Sequence, residues 1–243
     1  LAATVIIPAR LASSRFPEKI LASATGRPLV QHVVDRARLC HRVERIIVAA
    51  DHPRIAAALA PYGTEVVLTD PNHPSGTDRI AEVARALDCD IIVNVQGDEP
   101  EIEPAIIDDL IHRLQTTADD MATAAAPFPA GADVADPNLV KVALALNGRA
   151  LYFSRAPIPF VRDSGNPARH YLHLGIYAYR RTFLLEYAAW QPTPCEQAEK
   201  LEQLRALEHG RSIGVLLVQR QTHGIDTPRQ YEEFVRRART ARA

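Results

Sequence analysis

The sequence predicts an α/β protein built on a mixed, mainly parallel sheet, with an inserted subregion in its second half. Continuous Ile/Val runs such as "TVII", "RIIVAA" and "DIIVNVQ" lack polar alternation, as strands covered on both faces do. Helical spacing separates those runs in the first half. In the second half, strand-like segments follow one another without a full helix between each pair. The reading is therefore one mixed sheet with an insertion, a single domain over 1–243, with no second independent domain. A chain of 243 residues with 47% hydrophobic content can bury a substantial core.

The elements follow in order. "TVII" (4–7) is the first strand, and Leu29, Val33, Arg36, Ala37 and Cys40 keep helical spacing near 28–40. "RIIVAA" (45–50) is the second strand, "RIAAALAPYG" a helix that stops by Gly63, and "EVVLT" (65–69) the third strand. Ile80, Val83, Ala84 and Leu87 mark a helix after "SGTD". "DIIVNVQ" (90–96) is a fourth strand, and Pro104 opens another helix. "MATAAAP", "VKVALAL", "LYFSR" and "LHLGIYAYR" read as strands, and "CEQAEKLEQLRALEHG" as one helix ended by Gly210. A strand "IGVLLVQ" and a helix after "DTP" complete the order, and the turn-rich "RDSGNPAR" (162–169) is the expected mobile loop.

Composition narrows the function classes. With 28 basic and 29 acidic residues the net charge is −1, which disfavours nucleic acid and an anionic membrane as partners, so any cationic feature is local. Cys40, Cys89 and Cys195 are far apart and form no CxxC or Cys/His zinc spacing, which points to reduced thiols in a cytoplasmic protein. No segment approaches the roughly 20 apolar residues that span a bilayer. "LAATVIIPAR" is short and has no basic region before it, so a signal peptide is not expected. Leu1 stands where a Met would, so the natural start is expected upstream.

The chemistry concentrates at strand ends. "PARLASSRFPEK" (8–19) places Arg10, Arg15 and Lys19 after the first strand, where open α/β sheets bind ligands. Arg forks and a Lys point charge suit phosphate oxygens; the plain alternative is a solvated loop paired with carboxylates. The absence of GxxxxGK[ST] and GxGxxG disfavours a P-loop NTPase and a nicotinamide enzyme. "NVQGDEP" (94–100) ends a buried strand with Asp98 and Glu99, and Gly97 lets the backbone turn. Asp98 there can hold Mg²⁺ against phosphates or simply close its own turn. In "GIDTPRQ" (224–230), Thr227, Pro228 and Gln230 fit N-cap, N1 and N3 of a helix, so Asp226 either joins a metal site or only favours the helix dipole.

Other stretches are more ambiguous. In "HPSGTDR" (73–79), Ser75, Gly76 and Thr77 read first as helix capping. In "HYLHLGIYAY" (170–179), strand alternation separates His170 from His173 and puts His173, Gly175, Tyr177 and Tyr179 on one face. That face lines a polar pocket or is merely half-buried. Arg155 in "YFSRAPIP" either clamps a substrate carboxylate or joins a salt bridge. Glu199, Glu202 and Gln203 in "EKLEQLR" share one helical neighbourhood, a polar face by default.

Taken together and in order, "VIIPARLASSRFPEK", "HPSGTDR", "NVQGDEP", "YFSRAPIP", "HLGIYAY", "EKLEQLR" and "GIDTP" resemble the 3-deoxy-manno-octulosonate cytidylyltransferase family. The likeness runs from Val5 to about Phe234. The first loop is shared with many sugar nucleotidyltransferases, whereas "YFSR", "HLGIY" and "LEQLR" in combination are more specific. The segment around "RDSGNPARH" is short for the family. The resemblance implies a nucleotide-diphospho-sugar transferase fold, Rossmann-like and three-layered, with an inserted substrate and dimerisation subregion. It implies that CTP and 3-deoxy-manno-octulosonate (Kdo) are joined with Mg²⁺ to give CMP-Kdo and pyrophosphate for lipopolysaccharide, in a homodimer. Residues 1–127 would form mainly the CTP-binding half and 128–243 mainly the sugar and dimerisation half. By the same resemblance Arg10, Arg15 and Lys19 would contact the CTP phosphates, and Ser75, Gly76 and Gln96 would seat the cytidine. Asp98 and Asp226 would hold the metal, with Lys19 and Arg15 stabilising the leaving pyrophosphate. Arg155, His173, Tyr177, Glu202 and Gln203 would surround the sugar acid. Another acidic sugar, such as a sialic acid or 8-amino-Kdo, remains the alternative substrate.

Overall fold

Every residue of β1 (Ala3–Ala9) is buried, as its unbroken apolar run requires of a strand covered on both faces. The computed structural model describes residues 1–163, 169–219 and 224–240, so the expected mobile loop at 162–169 falls largely outside the described residues. Contacts divide the chain into two units, Leu1–Asp108 with Thr222–Ala243, and Asp109–Gln221.

In the first unit, β1 lies between β2 (Arg45–Ala50) and β4 (Ile91–Asn94), both parallel to it. β3 (Glu65–Leu68) pairs in parallel with β2, giving the order β3-β2-β1-β4. The helices α1 (Leu29–Ala37), α2 (Pro53–Leu59) and α3 (Gly76–Arg85) make the crossovers. Their buried residues follow the helical spacing in the sequence: Leu29, Val30, Val33 and Val34 on α1, Ile80, Ala81, Val83 and Ala84 on α3. Each fully buried Val, Leu or Ile contributes about 1.5–3 kcal/mol. The chain runs outward from β1 on one side through β2 and β3, and on the other through β4. The loops after β1 and β4 therefore diverge at a topological switch point, where a crevice opens. α4 (Pro104–Thr116) follows in sequence, and the C-terminal α8 (Pro228–Thr240) belongs to this unit, burying Tyr231, Phe234 and Val235 against Leu29 and Ile225.

In the second unit, β5 (Met121–Pro127) runs antiparallel to β8 (Tyr171–Arg180) and parallel to β9 (Ile213–Leu217). β6 (Lys141–Leu144) pairs antiparallel with β7 (Ala150–Ser154) and meets β8 at Lys141 and Leu172. The mixed pairing agrees with the sequence reading, with two corrections. A short α5 (Arg181–Tyr187) follows β8 directly and was not expected. The helix expected over 195–210 is broken into α6 (Pro194–Glu199) and α7 (Leu204–Glu208). Lys200 closes α6 in the left-handed conformation, φ 53°. The Arg155 guanidinium takes the carbonyls of Glu199 at 2.6 Å and Lys200 at 3.3 Å, so they are not bonded onward along a helix. Tyr187 Oη donates to the Glu202 carbonyl at 2.6 Å and fixes the other side of the break.

One charge cluster also belongs to this scaffold. Asp119, 1% exposed, accepts from Arg113 Nε at 2.8 Å and Arg149 Nε at 2.6 Å. Burial opposes its ionisation, but the two guanidinium bonds outweigh it and hold the carboxyl below the usual range. Gly214 on β9 is required there: a Cβ would stand 2.0 Å from Arg113 Nε and 2.4 Å from Asp119 Oδ2.

Candidate active site

After Ala9 the chain leaves the carboxyl edge of β1, and residues 10–18 lead to a short 3₁₀ turn, Lys19–Leu21. Lys19 Nζ donates to the Asp98 carboxylate, to the Ile225 carbonyl at 3.0 Å and to Asp226 Oδ1 at 3.1 Å. Arg15 reaches the same Asp226 oxygen at 2.9 Å. The two sequence-distant carboxylates thus converge on one ammonium group. Asp98 arrives because the chain runs past the end of β4 beside β1 and turns at Gly97. A Cβ on Gly97 would lie 2.9 Å from the Pro8 carbonyl oxygen, so only glycine lets the backbone come this close. Asp226 stands just before α8. Thr227 and Gln230 form the reciprocal capping box, with Thr227 N to Gln230 Oε1 at 2.9 Å and Gln230 N to Thr227 Oγ1 at 3.3 Å. Capping is thereby done by its neighbours, and the Asp226 carboxylate is left to the cluster.

These groups line a cavity of about 430 Å³ with Arg10, Ser75, Gly76 and Gln96. Arg10 donates to the His73 carbonyl at 3.3 Å, which turns its guanidinium toward the "HPSG" segment. Ser75 caps α3, accepting from Asp78 N at 3.0 Å, so the capping expected from the sequence is real. Capping and cavity lining coexist, because the N-terminus of a helix presents its first amides to whatever sits before it.

The second unit carries the other expected residues. His173 and Tyr177 share a face of β8 with Tyr179, their rings 5.5 and 5.9 Å apart in succession, and Phe153 meets His173 at 4.9 Å. Between Thr123 and Ala124 the β5–β8 register slips, so Gly175 and Ile176 bulge from β8. His173 Nε2 lies 3.0 Å from Thr123 Oγ1, whose own proton is directed to the carbonyl of Ile176 at 2.8 Å or of Leu174 at 3.1 Å. The imidazole is therefore the donor, protonated on Nε2, with Nδ1 an acceptor. Burial pushes His173 down to about 3, so it is neutral at physiological pH. Burial raises the Tyr177 phenol far above its ordinary value, with the Glu202 charge adding to the effect.

Arg155 makes no salt bridge among the described residues, and backbone carbonyls hold its guanidinium. Besides Glu199 and Lys200, its guanidinium donates to the Pro137 carbonyl at 2.7 Å. All three acceptors are neutral, so the bonds orient the cation without neutralising it. The Glu199 carboxylate accepts from Ser154 Oγ at 2.6 Å and Arg155 N at 2.9 Å, and buried Lys141 donates to the Arg155 carbonyl. Gln203 is 4% exposed, and among the described residues its Nε2 has no hydrogen-bond partner, an orphaned buried donor of the kind a ligand satisfies.

A family profile described as "Cytidylyltransferase" matches residues 4–213. The 3-deoxy-manno-octulosonate cytidylyltransferase of Geobacter sulfurreducens is 47% identical over 243 residues, 96% of this chain and 97% of the relative. The chain belongs to the 3-deoxy-manno-octulosonate cytidylyltransferase family. A protein of the same name from Syntrophobacter fumaroxidans is 50% identical over 235 residues, covering 95% of this chain and 94% of its own. A solved structure described as CMP:2-keto-3-deoxy-manno-octonic acid synthetase complexed with CTP superposes with a TM-score of 0.94 at 39% identity, covering 99% and 100% of the two chains. A glucose-1-phosphate thymidylyltransferase from Bacillus anthracis shares the fold, with a TM-score of 0.70 at 16% identity and coverage of 98% and 96%.

Within this cytidylyltransferase chain, the first-unit residues expected from the sequence all line one cavity. In the second unit, His173 and Tyr177 share a face, whereas Glu199 is separated from Glu202 and Gln203 by the helix break. Sequence reasoning missed Ser13 and Ser14, which also line the cavity and whose hydroxyls, paired between cations, were a readable signal. It also missed Thr123, which sets the His173 tautomer, and Lys141, which holds Arg155; neither stands in a motif. Among the described residues no group of three or more His, Cys, Asp or Glu side chains forms a metal cage. Two carboxylates meeting at one point do suit Mg²⁺, which takes one or two carboxylates plus substrate phosphates. No helix among the described residues is long and apolar enough to cross a membrane.

Proposed function

We propose that this protein transfers the cytidylyl group of CTP to the anomeric hydroxyl of Kdo, giving CMP-Kdo, the activated sugar for lipopolysaccharide, and pyrophosphate. The observation that carries this reading is the meeting of Lys19, Arg15, Asp98 and Asp226 in the cavity at the switch point. Residues 1–127 would form mainly the CTP-binding half and 128–243 mainly the sugar-binding half.

The hydroxyl oxygen of Kdo attacks the α-phosphorus in line. A P–O bond to the sugar forms, the bond to the bridging oxygen breaks, and pyrophosphate leaves with the electron pair. Negative charge gathers on phosphoryl oxygens, so positioned cations supply the catalysis. Arg10, Arg15 and Lys19 would grip the phosphates, with Lys19 and Arg15 stabilising the departing pyrophosphate. Ser75, Gly76 and Gln96 would seat the cytidine. Asp98 and Asp226 would hold Mg²⁺, which when bound neutralises phosphate charge and acidifies the sugar hydroxyl. Arg155 would meet the carboxylate that distinguishes Kdo from most sugars, beside His173, Tyr177, Glu202 and Gln203. The orphaned Gln203 amide and the un-neutralised Arg155 cation support that assignment. Neutral His173 can take part in hydrogen bonds but brings no charge to the sugar acid. The active form is read as a homodimer in the cytoplasm, a compartment in keeping with Cys40, Cys89 and Cys195 standing outside any disulfide.

The test is pyrophosphate release from CTP with and without Mg²⁺, offering Kdo, 8-amino-Kdo and a sialic acid in turn. Release dependent on both Mg²⁺ and Kdo is expected. Faster release with another sugar acid would reassign the substrate, and none with any of them would overturn the reaction.

A further inference from the structure

Phe16 stands between the two cations, Arg15 and Lys19, yet it does not line the cavity that they face. Its ring lies 5.5 Å from that of Tyr231 on α8 and packs on the cluster formed by Leu29, Ile225, Phe234 and Val235. Ile225 is a member of that cluster, and its carbonyl accepts from Lys19. Asp226 is the next residue. One apolar cluster thus touches both carriers of charge, the loop with Arg15 and Lys19 and the turn with Asp226. Tyr231 also ties the far end of the loop segment, since its Oη accepts from Ala24 N at 2.8 Å.

The ion pairs alone are poorly suited to hold this register. The outer pair is weak because Arg15 is 68% exposed, and the inner pairs rest on a single ammonium group, Lys19, which is 13% exposed. A triphosphate also competes for the same cations, so these bonds are given up when the site is occupied. The apolar contact does not respond to phosphate. We propose that Phe16 and Tyr231 are positioning residues, an apolar clasp that keeps the cationic loop registered against the carboxylate-bearing turn while the ion pairs exchange for CTP. The role in turnover rests on the proposed reaction at this cavity; the clasp itself does not.

Phe16→Ala is expected to raise the KM for CTP on the order of tenfold or more, the scale of a small misplacement of binding groups, while the KM for Kdo stays unchanged. Phe16→Leu, which refills the contact, should restore most of the loss. Leu59→Ala, fully buried on α2 and outside the cavity, serves as the control. It should lower the melting temperature and leave the KM for CTP alone. In a second arm without substrates, Tyr231→Ala should be cut faster by trypsin after Arg15, since the loop has lost its clasp. An unchanged KM for CTP in Phe16→Ala, an equal rise in Leu59→Ala, or unaltered cleavage in Tyr231→Ala would each overturn the clasp. Failure of the wild type to release pyrophosphate would overturn the reaction instead, and the trypsin arm would still judge the clasp.

Discussion

Two knots of opposite charge, one in each unit, use similar groups to different ends. Asp119 is 1% exposed and shared between Arg113 and Arg149, with Gly214 leaving no room for another atom. Asp98 and Asp226 are 25% and 40% exposed, share Lys19, and face a cavity. The first knot is closed on its own partners and can only hold the fold. The second can trade its partners for a polyanion and a divalent cation. What separates scaffold from chemistry here is access.

Breaking the closed knot should have the largest effect. Asp119→Ala leaves two guanidinium groups without their shared carboxylate, at a cost of about 3 kcal/mol, at the low end for a buried pair because Arg149 is 41% exposed. The denaturant midpoint should fall while the KM for CTP holds. In the wild type, the folded pKa of Asp119 lies below the ordinary 3.8. Its contribution is therefore complete above that value and is lost as pH falls through the lower folded one. A loss of CTP binding in Asp119→Ala would erase the distinction between the knots.

Asp98→Asn should do the opposite. It keeps the shape, removes a charge from the open knot, and should lower kcat about a hundredfold with little change in melting temperature. An active variant would sink the role given to Asp98, and a destabilised one would make this knot structural.

The smallest effect comes from a group that avoids charge altogether. His173 titrates near 3 in the fold against an ordinary 6.5. The unfolded chain takes up the proton first, so this contribution is complete above pH 6.5 and declines as pH falls toward 3. His173→Gln should flatten that decline slightly, the ring being half-buried, as denaturant midpoints at pH 7.5 and 5 would reveal. An unchanged slope would mean that the imidazole is hydrated.

The sequence reading succeeded where local patterns carry the physics. The apolar β1 run, the cations beyond it and the capping box that leaves Asp226 available all depend on neighbours in the chain. It failed where distant groups decide. Leu201 and Leu204 keep apolar spacing straight through the break between α6 and α7, because the cause is Arg155, far away in sequence. The short α5 offers too few residues for periodicity to register. Nothing near Asp119 announces Arg149 or Gly214, and the un-neutralised state of Arg155 depends on which carbonyls happen to surround it.

The close approach of Gly97 to the Pro8 carbonyl has a consequence for anyone mapping this enzyme by substitution. A methyl group there would push the Asp98 turn away from the end of β1, whatever residue carried it. In a saturation screen, position 97 would therefore tolerate almost nothing and score like a catalytic position. A ranking by lost activity would put a residue with no side chain beside Lys19 and Asp98.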